Sequence, residues 1–341
     1  MLLRLRNSLL VLFPALLLTG CFGGSALEDA VEDYHTRLSR VLEAPLPTPD
    51  NRPALNYPAS ASLRQAIPSV NVNLREFYAL QNCELGTLVA ERNTAVGKTQ
   101  QPSQRLAYET QLLASIDECI TRLRGTDPTL ATRLTTIKSV KSQQRQQVWA
   151  NLIQSGQEMQ YALSMPRALL QANGNRDARA GLSALHYLHE RRTLSPFTLN
   201  ELESQLQQTA SARLPAKLFQ TQRYLKQTLS PLTEALTPLL AAVACPDGRA
   251  SEQAKILRNV FYLFFIEKIQ PVGSRINDYH YQLAPLYKDW TTMPAFHPDF
   301  RAYIENYGVS GFAAYQRAVD EHVQLWQEFL GRCNLSPQAP G

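Results

Sequence analysis

The sequence predicts an all-α protein, an antiparallel multi-helix bundle with a Pro-rich extended N-terminal arm. Apolar residues recur at helical spacing through most of the chain from residue 71 onward. No stretch of useful length alternates apolar and polar residues as a half-buried strand would. Five prolines fall between residues 45 and 58, where they exclude regular structure.

Residues 1–20 are predicted to be a secretory signal. Arg4 and Arg6 make the start basic, residues 9–18 are apolar, and Gly20 is a small residue directly before Cys21. The apolar stretch is shorter than the roughly 20 residues that a membrane-spanning helix needs. We therefore expect a cleaved leader rather than an N-terminal membrane helix.

The segment Leu18-Thr19-Gly20-Cys21 resembles the lipobox of bacterial lipoproteins. The resemblance implies cleavage after Gly20 and lipidation of Cys21, so a membrane is the first expected partner. In lipoproteins of this type, an aspartate after the cysteine usually means retention in the inner membrane. This chain has Phe22 there, which favours the outer membrane, with the body facing the periplasm.

Residues 21–70 are expected to form a lipid-anchored N-terminal helix followed by the arm. Residues 25–43 carry apolar side chains on one helical stripe. The Pro-rich segment after them is either a spacer or an arm laid along the body. Leu46, Leu55, Tyr57 and Leu63 favour the arm, because a free linker would be more polar.

The helical body is predicted over residues 71–333, with a possible subdivision near residue 245 and a disordered tail at 334–341. The predicted helices run over about 72–92, 103–123, 127–161, 176–191, 197–226, 229–243, 251–269 and 309–331. Pro215 is expected to kink or break a helix, and Pro231 is expected near a helix start. The C-terminal part is expected to be divided by Pro271, Pro285, Pro294 and Pro298. The apolar run 260–266 predicts a buried central helix.

Four cysteines remain once Cys21 is set aside, namely Cys83, Cys119, Cys245 and Cys333. An even number in an exported protein favours disulfides, and three pairings are possible. A hairpin of helices 72–92 and 103–123 centred near residue 101 places Cys83 and Cys119 each 18 positions from the turn. Cys245 and Cys333 both follow predicted helices. We therefore favour Cys83–Cys119 and Cys245–Cys333, with buried free thiols as the alternative.

Composition gives no support for a nucleic-acid partner. Removal of Arg4 and Arg6 with the signal lowers Lys plus Arg from 34 to 32, against 29 acidic residues, which leaves an excess of +3. No block of like charge occurs.

Motifs for catalysis, cofactors or metals are weak, so enzymatic activity is not favoured. Gly97-Lys98-Thr99 ends like a phosphate-binding loop but lacks the earlier glycine and a preceding strand. His186-x-x-His189 places two imidazoles on one helix face without a third ligand. We predict no catalytic residue, no metal site and no cofactor.

An aromatic-rich stretch over residues 279–307 allows two interpretations. It could line a groove for a lipid or glycan, with Tyr279, Tyr281, Tyr287, Trp290 and Tyr303 as binding residues. It could equally be packing between short helices, and we favour this second interpretation.

A further set of residues carries a family resemblance. Glu91-Arg92-Asn93, Gly97, the run Pro102–Leu106, Tyr108-Glu109 and Cys119-Ile120, with the lipobox and the arm, resemble a proteobacterial lipoprotein family catalogued as domain of unknown function 3080. The resemblance covers nearly all of the mature chain and implies no assigned chemistry. Arg92, Asn93, Arg105 and Glu109 flank the predicted turn, where bracing the arm and binding a ligand explain them equally well.

The function hypothesis at this point is a non-enzymatic lipoprotein that binds an unknown envelope protein or polymer. The alternative is a carrier or sensor that uses the aromatic groove.

Overall fold

The computed structural model describes residues 26–48, 52–94 and 100–336, and these ranges contain helices and no strand. The all-α prediction is confirmed. The helices are α1 (Ala26–Leu42), α2 (Ser60–Leu63), α3 (Leu74–Ala79), α4 (Glu84–Arg92), α5 (Pro102–Leu123), α6 (Pro128–Ser155), α7 (Gln157–Ser164), α8 (Ala178–Glu190), α9 (Leu199–Ala212), α10 (Leu214–Ala242), α11 (Glu252–Val260), α12 (Gln270–Thr292), α13 (Pro298–Ile304) and α14 (Ser310–Arg332).

Several helices begin at capping residues that the sequence displays. The Asn73 side chain accepts from the Glu76 backbone N–H, and the Glu76 carboxylate accepts from Asn73 N–H in return. Thr198 and Glu201 form the same reciprocal cap at the start of α9. Such caps satisfy N–H groups that the first helical turn would otherwise leave unpaired.

The prediction that Pro231 and Pro285 delimit helices is wrong, whereas Pro271 does fall at the start of α12. Pro231 lies inside α10, Pro271 is the second residue of α12, and Pro285 lies inside α12. Pro285 is exposed and Pro231 is half-buried. On the outer side of a long helix, the carbonyl that loses its N–H partner can turn toward water. Burial of the inner face therefore keeps both helices continuous.

The prediction of a buried central helix at the apolar run 260–266 is only partly correct. Between α11 and α12 the backbone forms a π-helix, Phe261–Ile269, so the helical path continues from 252 to 292. Phe261, Phe264 and Phe265 are buried, but Leu263 is 48% exposed. The segment is therefore a core-facing helix with one open side, not a fully buried one.

The Pro-rich arm lies along the body over its described residues. The Tyr57 hydroxyl donates to the Gln154 carbonyl at 2.8 Å. Asn151 exchanges two hydrogen bonds with the backbone of Gln65, at 3.0 and 2.8 Å. Leu63 is fully buried. Backbone groups of the arm therefore find partners on α6 in place of water.

Two separate hydrophobic clusters organise the chain. The larger cluster contains residues of α1, the arm and the helices from α6 onward, including residues on both sides of position 245. The smaller cluster is built from α4, the C-terminal part of α5 and the N-terminal part of α6, and we call this region the small lobe.

The four cysteines stand as two pairs at disulfide distance, in the predicted pairing. The Cα atoms of Cys83 and Cys119 are 5.5 Å apart, and those of Cys245 and Cys333 are 5.2 Å apart. Both distances fall within the range that a disulfide spans. The first pair joins the start of α4 to α5 in the small lobe, and the second joins the residues after α10 and α14. Cys21 lies outside the described residues.

A cationic cavity in the small lobe

A cavity of about 370 Å³ lies in the small lobe, between α4, α5, α6 and residues 69–72 at the end of the arm. Ligand sites in proteins are commonly of about this volume or larger. The helices that enclose it come from three separate stretches of sequence. Residues 69–72 complete the wall that these helices provide.

Most of the cavity wall is aliphatic. Each helix contributes side chains from the face that it also uses for the small hydrophobic cluster. The apolar lining residues are Val70, Val72, Leu80, Leu85, Val89, Leu112, Ile116, Leu134 and Ile137.

Cationic side chains from all three helices also line the cavity. Arg92 lies at the end of α4, Arg105 near the start of α5, and Lys141 on α6. Arg105 and Lys141 both contact Glu109, whose side chain is only 1% exposed. The Arg105 Nη2 atom is 2.5 Å and the Lys141 Nζ atom 2.9 Å from the same oxygen, Glu109 Oε1. The other oxygen, Oε2, is buried without a hydrogen-bond partner among the described residues.

Electrostatics at this end of the cavity favour an anion. Three cations and one carboxylate leave two positive charges in excess among Arg92, Arg105, Glu109 and Lys141. Burial, and after it the neighbouring Arg105, lowers the pKa of Arg92, while Tyr108 and Glu109 act in the opposite direction. Burial raises the pKa of Tyr108 to about 12, so its hydroxyl stays neutral. The Arg92 and Arg105 guanidinium carbons lie 6.0 and 5.7 Å from the Tyr108 ring centre.

The cavity wall combines aliphatic side chains with cationic and uncharged polar ones. Its described lining contains no histidine, cysteine or aspartate. No cluster of three histidine, cysteine or acidic side chains able to hold a metal ion occurs in the three described ranges. His189 lies 3.0 Å from the Asp289 carboxylate, and both burial and Arg192 lower the pKa of His189.

The predicted aromatic residues share no groove. Tyr287, Trp290 and Tyr303 are buried in the larger cluster. The Tyr303 hydroxyl donates to the Leu163 carbonyl at 2.7 Å. Tyr281 is 62% exposed, and Tyr279 borders a different, open depression beside Arg275. For Tyr287, Trp290 and Tyr303, the structure therefore fits packing between helices rather than a binding groove.

The cavity itself was not predicted from sequence, although some of its residues were noticed. Arg92, Asn93, Arg105, Tyr108 and Glu109 all belong to the motif that carries the family resemblance, and all except Glu109 line the cavity. Lys141, on α6, gave no signal of its own. Arg105 also lines a shallow depression with Arg64 and Gln65 of the arm, so it borders both the arm and the cavity.

The chain belongs to the family described as protein of unknown function DUF3080, which matches residues 31–337. No curated protein and no solved structure is significantly similar to it. No helix in the described part of the chain is both long and apolar enough to cross a membrane.

Proposed function

We propose that this protein is a lipoprotein, anchored in the outer membrane through lipid on Cys21, that binds a small molecule in the cavity of its small lobe. Its body faces the periplasm and acts as a carrier or sensor rather than as an enzyme. The lipobox-like segment and Phe22 support the anchor and its membrane. The cavity supports the binding role.

One observation carries the binding role, the buried charge cluster beside an aliphatic cavity. A buried ion pair is often no more stabilising than apolar residues of similar volume. Glu109 with Arg105 and Lys141 is therefore poorly explained by stability alone. The cluster holds two cationic side chains at fixed positions on the cavity wall, as a binding site requires.

The test compares native and denatured masses of the body from Ser25 onward, secreted to a periplasm without its lipid. Both hydrophobic clusters begin at or after Leu27, so this body keeps the whole described core. Extra mass that is present natively and lost on denaturation is the expected result. It identifies a bound ligand.

The variant Val89→Phe tests whether that mass is bound in the cavity. Val89 lines the cavity, and the larger phenylalanine side chain would occupy part of its volume. Thr87→Phe, on the exposed side of the same helix, is the matched control. We expect Val89→Phe to lose the extra mass and Thr87→Phe to keep it. Equal retention by both variants would exclude the cavity. A bound envelope protein or polymer in place of a small molecule would contradict the carrier role.

A further inference from the structure

From the cavity we infer the ligand class, a single-chain amphiphile whose aliphatic tail lies along the apolar wall and whose acidic head meets Arg92, Arg105 and Lys141. This inference rests on the proposed function and specifies the ligand of the same site. The head group is a carboxylate or a phosphate.

The wall favours an aliphatic tail over a sugar or an aromatic ring. All nine apolar lining residues are valine, leucine or isoleucine. Sugar sites usually present flat aromatic faces together with many hydrogen-bonding groups. Tyr108 is the one aromatic side chain in the described lining, and it lies beside the arginines.

The charges favour an acidic head over a neutral or cationic one. Arg92, Arg105 and Lys141 reach the cavity from three different helices, and Glu109 compensates only one of the three charges. Arg105 and Lys141 share the single carboxylate of Glu109 as their ion-pair partner. An anionic head would relieve the repulsion between Arg92 and Arg105. Arginine also binds both oxygens of a carboxylate or phosphate at once.

The remaining polar groups fit the same arrangement. Asn93 and the Tyr108 hydroxyl can each donate a hydrogen bond to a head-group oxygen. Ser69 in the arm and Asn71 directly after it also line the cavity. The arm therefore forms one side of the site.

The experiment measures equilibrium binding to the secreted body by displacement of a fluorescent fatty acid, below the concentration at which each ligand forms micelles. Decanoate, dodecanoate and tetradecanoate vary the tail. The head group is varied at one chain length by comparing dodecanoate, its glycerol monoester, dodecylammonium and a lysophosphatidylglycerol. The last of these separates a lipid phosphate from a free carboxylic acid.

We expect affinity to rise about fourfold for each added methylene until the cavity is full. We expect the neutral ester to bind about tenfold or more weakly than the acid, and the ammonium more weakly still. Arg92→Gln should weaken binding of the acid about tenfold and leave binding of the neutral ester unchanged. Arg124→Gln, an exposed arginine that follows α5, is the matched control and should change neither.

Two results would overturn the inferred class. One is equal affinity for acidic, neutral and cationic heads. The other is affinity that does not depend on tail length. If no amphiphile binds but the secreted body retains another molecule that Val89→Phe excludes, the ligand class is wrong and the proposed function stands. If Val89→Phe changes neither retained mass nor amphiphile binding, both fail.

Discussion

The most informative single residue outside the cavity is His322, whose side chain is fully buried on α14. The Trp326 indole N–H donates to Nε2 at 3.2 Å, and the Tyr34 hydroxyl lies 2.9 Å from the same atom. Nε2 is therefore an acceptor, and Nδ1 carries the ring hydrogen, which it donates to the Thr233 hydroxyl at 2.9 Å. The network satisfies a neutral imidazole and leaves no place for a second proton.

Acid should therefore destabilise the fold through His322. Burial lowers its pKa from 6.5 to about 3 in the folded protein. Between those values the unfolded chain binds a proton that the folded chain does not, so the free energy of unfolding falls as pH falls. One such proton contributes about 1.4 kcal/mol per pH unit. Urea unfolding of His322→Gln, followed between about pH 6 and pH 4, should lack this part of the slope.

At neutral pH, His322→Gln should lower the free energy of unfolding by about 1–3 kcal/mol, because glutamine cannot reproduce the hydrogen bonds of the imidazole. Gln324→Ala, on the exposed side of the same helix, is the control and should keep the slope of the unmodified protein. If His322→Gln and the unmodified protein have parallel pH profiles, His322 does not carry the acid sensitivity.

At the scale of helices, the Cys83–Cys119 pair should hold the small lobe together. It joins α4 to α5 across 36 positions, and the small hydrophobic cluster is separate from the larger one. In the chain-entropy picture, a disulfide across a loop of this length contributes about 4 kcal/mol. We expect the double change Cys83→Ala/Cys119→Ala to raise amide hydrogen exchange in α4 and in the C-terminal part of α5. The same double change should weaken ligand binding in the cavity.

The second cysteine pair provides the comparison. Cys245→Ala/Cys333→Ala should raise exchange at the ends of α10 and α14, which this pair joins, and should leave the cavity intact. A uniform rise over the small lobe and the larger hydrophobic cluster in either variant would show that the two regions unfold as one unit.

Sequence reasoning reached the features that depend on neighbouring residues and missed those that depend on packing. The start of the helix predicted from residue 127 is decided within four positions of sequence, because Asp127 caps α6 and Pro128 is its first residue. Pro231 and Pro285 could not be placed, because the outward side of a helix is known only after packing. Leu112 and Leu134 have the pattern of ordinary core residues, so the cavity between them leaves no trace in the sequence. In the sequence, Arg105 and Glu109 resemble an exposed ion pair on a helix. Only the fold shows that Glu109 is buried and also contacts Lys141.

For the whole molecule, the position of α1 limits how far the body can stand from the membrane. Leu27, Val31, Tyr34 and Leu38 of α1 are buried in the larger cluster. Arg37 lies over the Phe264 ring at 4.3 Å, so α1 packs on the π-helical segment. Ala26 is five positions after Cys21, a distance of at most about 18 Å in extended chain. A lipid on Cys21 would therefore hold the body close to the membrane surface.

The identity of residue 22 should then decide which membrane the body adjoins. In lipoproteins with this signal, aspartate after the lipidated cysteine favours inner-membrane retention, and this chain has Phe22. We expect the unmodified protein to fractionate with the outer membrane on a density gradient and Phe22→Asp to move to the inner membrane. Asparagine has nearly the shape of aspartate but no charge, so the control variant Phe22→Asn should remain in the outer membrane. Cys21→Ser should abolish incorporation of labelled palmitate, because serine offers no thiol for the thioether. Palmitate labelling that persists in Cys21→Ser would contradict the proposed anchor, and identical fractionation of Phe22→Asp and Phe22→Asn would contradict the sorting role of residue 22.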